Sequence, residues 1–230
     1  MLLIYALIYT NLASSNCPKE FDLLYAEEIG DEQYMNCADS IGHDLTISAI
    51  VKKIGKFSFY GCTGITGKLT ICMKNYGFVD KSAFQGCTGI KEVSFVCNTV
   101  IAASENSFYG CSGIETITFS PSMSSIGKGA FSQCTNISNS ITLSSNMFEI
   151  GDYAFFNCTK IPQITIDYES AKIGKFAFSY CSSIKSFKFL SYEINDGAFS
   201  YCTGLNSLID FQNSKQINGN GVFMGCTSLV

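Results

Sequence analysis

Eight cysteines, Cys62, Cys87, Cys111, Cys134, Cys158, Cys181, Cys202 and Cys226, follow one another at intervals of 25, 24, 23, 24, 23, 21 and 24 residues. A period of that length dictates architecture, because one copy is too short to bury its own apolar face and must stack on its neighbours. A phenylalanine stands three residues before each cysteine: Phe59, Phe84, Phe108, Phe131, Phe155, Phe178, Phe199 and Phe223. Three residues after each stands an aliphatic side chain, from Ile65 to Leu229. Eight residues before most of them lies a pair such as Ile54-Gly55, Ile126-Gly127, Ile150-Gly151 or Ile173-Gly174. Upstream, Tyr34, Cys37 and Leu45-Thr46-Ile47 fit the same frame and mark a degenerate opening copy.

Short runs such as Val93-Ser94-Phe95, Ile117-Thr118-Phe119, Ile141-Thr142-Leu143, Ile164-Thr165-Ile166 and Phe187-Lys188-Phe189 alternate with period two. They predict one short strand per repeat, buried on one face, with turns or short helical segments on the convex side. Glycine or asparagine after the isoleucine predicts a turn that needs positive φ. The phenylalanine ladder is expected to fill the convex side of a continuous core. Recurring cysteines can mean zinc, disulfides or nucleophiles. Zinc sites need closely paired ligands, whereas these thiols occur once per repeat without a histidine, so they are expected as a stack of small buried hydrophobes.

The repeat I-G-x-x-A-F-x-x-C-T-x-I, followed by x-x-I-x-I, resembles the BspA-like leucine-rich repeat, known from surface proteins of anaerobic bacteria and parasitic protists. The likeness runs from about Tyr34 to the end. It implies a leucine-rich-repeat solenoid, horseshoe-like and built on a parallel sheet, and a role in adhesion or ligand binding. On this frame residues 1–15 are a signal-peptide-like segment, 16–48 an N-terminal cap with the degenerate repeat, and 49–230 eight repeats, the last incomplete.

Met1 to Ser15 carries an apolar run from Leu2 to Tyr9 followed by small residues, the shape of a secretory signal, although the basic n-region is missing. A buried N-terminal segment or an unprocessed anchor are the competing readings. Fifteen lysines, no arginine and nineteen acids give a net charge of -4 without blocks of one sign, which argues against nucleic-acid binding. No phosphate-loop, dinucleotide, nucleophile-elbow or zinc-helix motif occurs, and the lone histidine, His43, has no companion base or nucleophile. We expect no enzyme activity, metal or cofactor.

A ligand of such a solenoid is expected on the outward strand positions Thr70, Ser94, Thr118, Thr142, Thr165 and Lys188, a nearly neutral strip suited to weak, multivalent contact with a protein or glycan, such as host extracellular matrix or a cell surface. A second row, Tyr60, Tyr109, Phe156, Tyr180 and Tyr201, is expected to pack partly under the convex turns rather than to bind. Cys72 and Cys97 tempt a disulfide, but strand alignment sets Cys72 beside Val96, which argues against it. Cys17 and Cys37 are candidates for a clamp on the cap. Asn136 and Asn157 begin N-x-S/T sequons. The sequence stops at Cys226-Thr227-Ser228-Leu229-Val230 without a polar capping repeat, which predicts self-association through an open edge. The expected function is secreted or surface binding, with an intracellular assembly scaffold as the alternative.

Overall fold

A computed structural model describes Leu23 and residues 26–38, 44–73, 77–97, 102–209 and 217–229, with the backbone alone at 167–170, 188–192 and 208–209. In chain order the strands are β1 (Glu28–Ile29), β2 (Leu45–Ile47), β3 (Lys53–Ile54), β4 (Lys68–Ile71), β5 (Phe78–Val79), β6 (Glu92–Phe95), β7 (Ala102–Ala103), β8 (Thr116–Thr118), β9 (Ser125–Ile126), β10 (Ile141–Leu143), β11 (Glu149–Ile150), β12 (Gln163–Ile173), β13 (Ser186–Ile194) and β14 (Ser207–Ile209). The described pairings are all parallel, as a stack of repeats requires when each strand returns one coil later.

The first four alternating runs form one sheet, ordered β2-β4-β6-β8, and those at β10, β12 and β13 pair with one another in the other sheet; the inward residues are fully or almost fully buried. The expectation of a single strand per repeat needs correction. The Ile-Gly stretches are strands too, pairing β1-β3-β5-β7-β9-β11 into a second ladder that β12, β13 and β14 join. Strands β12 and β13 run through both positions, so the two sheets merge at this end.

The reading of the glycine after the isoleucine also changes. Gly55, Gly127, Gly151 and Gly174 do not have positive φ. A Cβ at Gly151 would lie 2.6 Å from the Lys128 backbone nitrogen, and one at Gly174 would lie 2.5 Å from that of Asp152. Glycine is needed here because the backbone of the preceding repeat passes too close for a side chain. Positive φ falls instead five residues and one residue before the ladder cysteine, as at Gly129 (φ 61), Asn106 (φ 55), Gly110 (φ 70) and Gly86 (φ 74).

On the third side, turns stack without helices. The amide of Phe59 donates to the Ala83 carbonyl at 2.7 Å, Phe84 to Ser107 at 2.7 Å and Phe108 to Ala130 at 2.8 Å, so the turn wall is itself a hydrogen-bonded ladder. Small residues must precede the phenylalanine because these turns are in contact, and Ala83, Ala130, Ala154, Ala177 and Ala198 are fully buried. The phenylalanine rings lie almost parallel, 4.8 Å apart between Phe59 and Phe84 and 5.7 Å between Phe199 and Phe223. Each fully buried ring contributes about 1.5–3 kcal/mol by leaving water, and most of these rings touch the next one. No helix among the described residues is long and apolar enough to cross a membrane.

Candidate functional site: the outer faces of the solenoid

The cysteine ladder lies inside the solenoid. Its eight members are free and buried thiols. Cys87 Sγ donates to the Phe59 carbonyl at 3.0 Å, Cys111 to Phe84 at 2.9 Å, Cys158 to Phe131 at 3.1 Å and Cys226 to Phe199 at 3.1 Å. The same carbonyl accepts the backbone N–H of its own repeat's cysteine, as Phe59 does from Cys62 at 3.0 Å. A thiol therefore satisfies the second lone pair of a buried carbonyl, which an aliphatic residue of the same size would leave bare. Burial pushes the Cys62 thiol up to about 11 and that of Cys181 to about 12, and raises Cys87, Cys134, Cys158, Cys202 and Cys226 as well. Protonated, buried thiols are poor nucleophiles. Among the described residues no three His, Cys, Asp or Glu side chains converge to hold a metal; His43 lies outside them.

The strand face carries the expected strip. Thr46, Thr70, Ser94 and Thr118 are cross-strand neighbours, and so are Thr142, Thr165 and Lys188. Thr118 and Thr142 are exposed, Thr70 and Thr165 half-buried, and the Lys188 side chain lies outside the described set. Ser94 departs from expectation: it is 3% exposed, because Glu92 folds over it and accepts its hydroxyl at 2.9 Å. Glu92 also receives Lys68 Nζ at 2.6 Å, and the ammonium and the Ser94 hydroxyl hold its carboxyl below the usual range. Ser94 is therefore a support for an ion pair rather than a contact residue.

The strip is divided in two. Strand β10 pairs with β12 and not with β8, and β8 ends its sheet. The Asn139 side chain fills the breach: its Oδ1 accepts the Ile117 N–H at 3.1 Å and its Nδ2 donates to the Ile117 carbonyl at 2.8 Å. An amide side chain here imitates a strand backbone. Beyond it the two strand edges diverge around an open cleft of about 500 Å³ lined by Thr118, Phe119, Ser140, Thr142 and Ser144. Sequence reasoning missed this cleft; its signal was Asn139, where sister repeats place Gly67, Lys91, Glu115 or Pro162.

The turn face carries the second row, partly packed. Tyr109, Tyr180 and Tyr201 are 38%, 44% and 38% exposed, while Tyr60 and Phe156 are half-buried. Three further aromatics share the face, Phe57, Tyr153 and Phe176, and all three have positive φ. Ring centroids of Tyr153 and Phe176 are 5.3 Å apart, of Phe156 and Tyr180 5.5 Å, and of Tyr180 and Tyr201 4.7 Å, so the rings form a connected row. Phe57, Tyr153, Phe176, Tyr180 and Tyr201 occupy positions where several sister repeats hold glycine or asparagine, and that exchange was the signal for a left-handed backbone pointing its side chain outward.

Cys72 and Cys97 are disulfide-bonded, with Cα atoms 4.9 Å apart. The alignment of Cys72 with Val96 is correct in register, but the ladder ends at Phe95, and the bend at Cys97 frees its side chain from strand alternation. Cys37 is disulfide-bonded, and its suggested partner Cys17 lies outside the described residues. At the sequons, Asn136 Nδ2 donates to the Ser112 carbonyl at 2.8 Å and Asn157 Nδ2 to Gln133 Oε1 at 2.8 Å, so both amide nitrogens already serve bonds to the preceding coil.

No curated protein matches the chain. Among solved structures it is similar to a leucine-rich-repeat protein of T. pallidum, TpLRR, with 20% identity over 82% of this chain and 78% of that one and a TM-score of 0.57, which speaks for the fold. A leucine-rich-repeat protein of Bacteroides ovatus ATCC 8483 aligns at 17% identity over 88% of this chain and 80% of that one, with a TM-score of 0.33. A leucine-rich cell surface protein of Faecalibacterium prausnitzii A2-165 aligns at 16% identity over 88% and 81%, also with a TM-score of 0.33. The family model for the BspA-type leucine-rich repeat region matches residues 27–147 and 101–230, in six copies. With its stacked parallel coils, its phenylalanine and cysteine ladders and this match, the chain belongs to the BspA-type leucine-rich-repeat family.

Proposed function

We propose that this protein is a non-enzymatic binding protein, secreted or held at the cell surface, that makes adhesive contacts with protein or glycan ligands along its strand face. The observation that carries the reading is the cleft beside Asn139: it opens in the middle of the strip, between exposed Thr118 and Thr142, where two strand edges lack a strand partner. Short hydroxyl side chains on both walls offer donors and acceptors to an extended ligand. Family membership supports binding through a repeat surface, and the Cys72–Cys97 bond suits an oxidising compartment.

An intracellular scaffold is the second reading, favoured by the eight free thiols, which a reducing compartment would protect. N-terminal sequencing of the natural protein separates the two: loss of Met1 to Ser15 with recovery from medium or surface fits adhesion, and an intact Met1 in cytosol fits the scaffold. For the site, binding to immobilised matrix proteins and glycans is compared between the wild type and Thr118→Lys/Thr142→Lys, which fills the cleft with charged chains. At least a tenfold loss is expected; equal binding would remove the cleft from the account.

A further inference from the structure

We infer that the turn face between Tyr109 and Tyr201 is a platform for a neutral oligosaccharide, whose sugar rings lie on the exposed aromatic row. The inference rests on the binding reading above, but it assigns a different face and a definite ligand class. Tyr153, Phe176, Tyr180 and Tyr201 have φ of 57°, 54°, 63° and 59°, a conformation in which bulky side chains are outliers. The equivalent positions elsewhere are occupied by Gly129, Gly197 and Gly221, or by Gly61, Gly86, Gly110 and Gly225, so the coil folds without an aromatic there. Strained rings that the fold does not require, exposed at Tyr153, Tyr180 and Tyr201 and half-buried at Phe176, mark a functional surface.

Two properties select the occupant. The first is charge: Lys175 and Asp196 beside the row neutralise each other at 2.9 Å, and the pocket at Tyr109 and Tyr153 is edged by amides and hydroxyls with one charged residue, Lys128. The second is area. Exposed rings of about 200 Å² each, showing roughly two-fifths of that to solvent, give on the order of 300–400 Å², about half of the ~800 Å² that each protein partner commonly buries. A strip that narrow suits a chain-like ligand, and flat sugar faces edged by hydroxyls match rings edged by amides. At one end a pocket of about 270 Å³, walled by Tyr109, Tyr153 and Phe156 and edged by Asn106, Gln133 and Lys128, has room for one terminal sugar ring.

The test measures affinity for neutral hexasaccharides of glucose, mannose and N-acetylglucosamine, with a uronate hexamer and a proline-rich peptide as comparators. The full chain is compared with Tyr153→Gly/Tyr180→Gly/Tyr201→Gly and, separately, with Tyr109→Ala. Each variant is expected to lose at least tenfold in affinity for the preferred neutral saccharide. The triple variant should melt no lower than the wild type, since glycine is the residue sister repeats use; Tyr109→Ala does not alter a left-handed position and tests the pocket if the triple variant folds poorly. Unchanged affinity in both aromatic variants, or preference for the peptide or the uronate, overturns the inference. Binding of matrix protein but no saccharide overturns it while the broader reading stands, and binding of nothing in either panel overturns both.

Discussion

Ser58 and Ser107 stand where other repeats place Ala83, Ala130 or Ala154, directly before the ladder phenylalanine, and their buried hydroxyls have no hydrogen-bond partner. A buried hydroxyl without a partner costs about 1–3 kcal/mol, and the alanine coils show that the site accepts its absence. Ser58→Ala and Ser107→Ala are each expected to stabilise by about 1 kcal/mol in urea denaturation; a loss of stability would mean that unseen water satisfies these groups. The thiols give a second expectation at this scale. Burial holds the folded pKa of Cys62 and Cys181 above the ordinary 9.0, at about 11 and about 12. The stability tied to the protonated form is thus fully present below pH 9 and lost as pH rises through 9 toward 11–12, because the unfolded thiols ionise first. Urea midpoints should be level from pH 6 to 8 and fall steeply above 9; a level profile to pH 11 would contradict buried thiols. Ladder positions were legible in the sequence because one residue type recurs at one spacing. Left-handed positions were not, because Gly, Asn, Ser, Phe and Tyr share them.

The strands of the first sheet were legible because alternation over three or four residues reports which side is buried, as in Lys68–Ile71 and Glu92–Phe95. The second ladder was not, since two-residue strands such as Lys53–Ile54 are too short to alternate, and their glycine looks like a turn residue until the neighbouring coil is present. The disulfide joins consecutive coils across 25 residues. Closing a loop of that length in the unfolded chain is worth roughly 3 kcal/mol, so Cys72→Ala/Cys97→Ala should lower stability by about that amount in calorimetry under non-reducing conditions. An unchanged melting temperature would mean that the sheet already fixes these coils. Asn139 closes the breach between β8 and β10 by bonding both backbone groups of Ile117. Asn139→Ala is expected to cost about 1–3 kcal/mol and to raise hydrogen exchange at the Ile117 amide, whereas Asn139→Asp retains only the acceptor half of the pair.

At the scale of the whole molecule, one core runs through every described coil, with the phenylalanine ring ladder and the S–H···O=C ladder inside it and the hydroxyl strip and aromatic row outside. Inward residues are nearly uniform from repeat to repeat, while outward ones vary, as expected when stacking sets the core and ligands set the surface. The overall architecture was therefore the most legible feature of the sequence, and the candidate sites the least, because the cleft and the aromatic row exist only where coils depart from the consensus. Ion pairs between neighbouring coils, such as Lys91 with Glu115 and Lys81 with Glu105, are solvent-exposed and add little to this stack. The division of labour between a sealed ladder and free outer faces is tested most directly by alkylation of the folded protein at pH 8 without reductant, read by peptide mass spectrometry. The account predicts that the eight ladder thiols stay unmodified until denaturant is added and that Cys72 and Cys97 are recovered as a linked pair. Rapid labelling of the ladder cysteines in native buffer would contradict it.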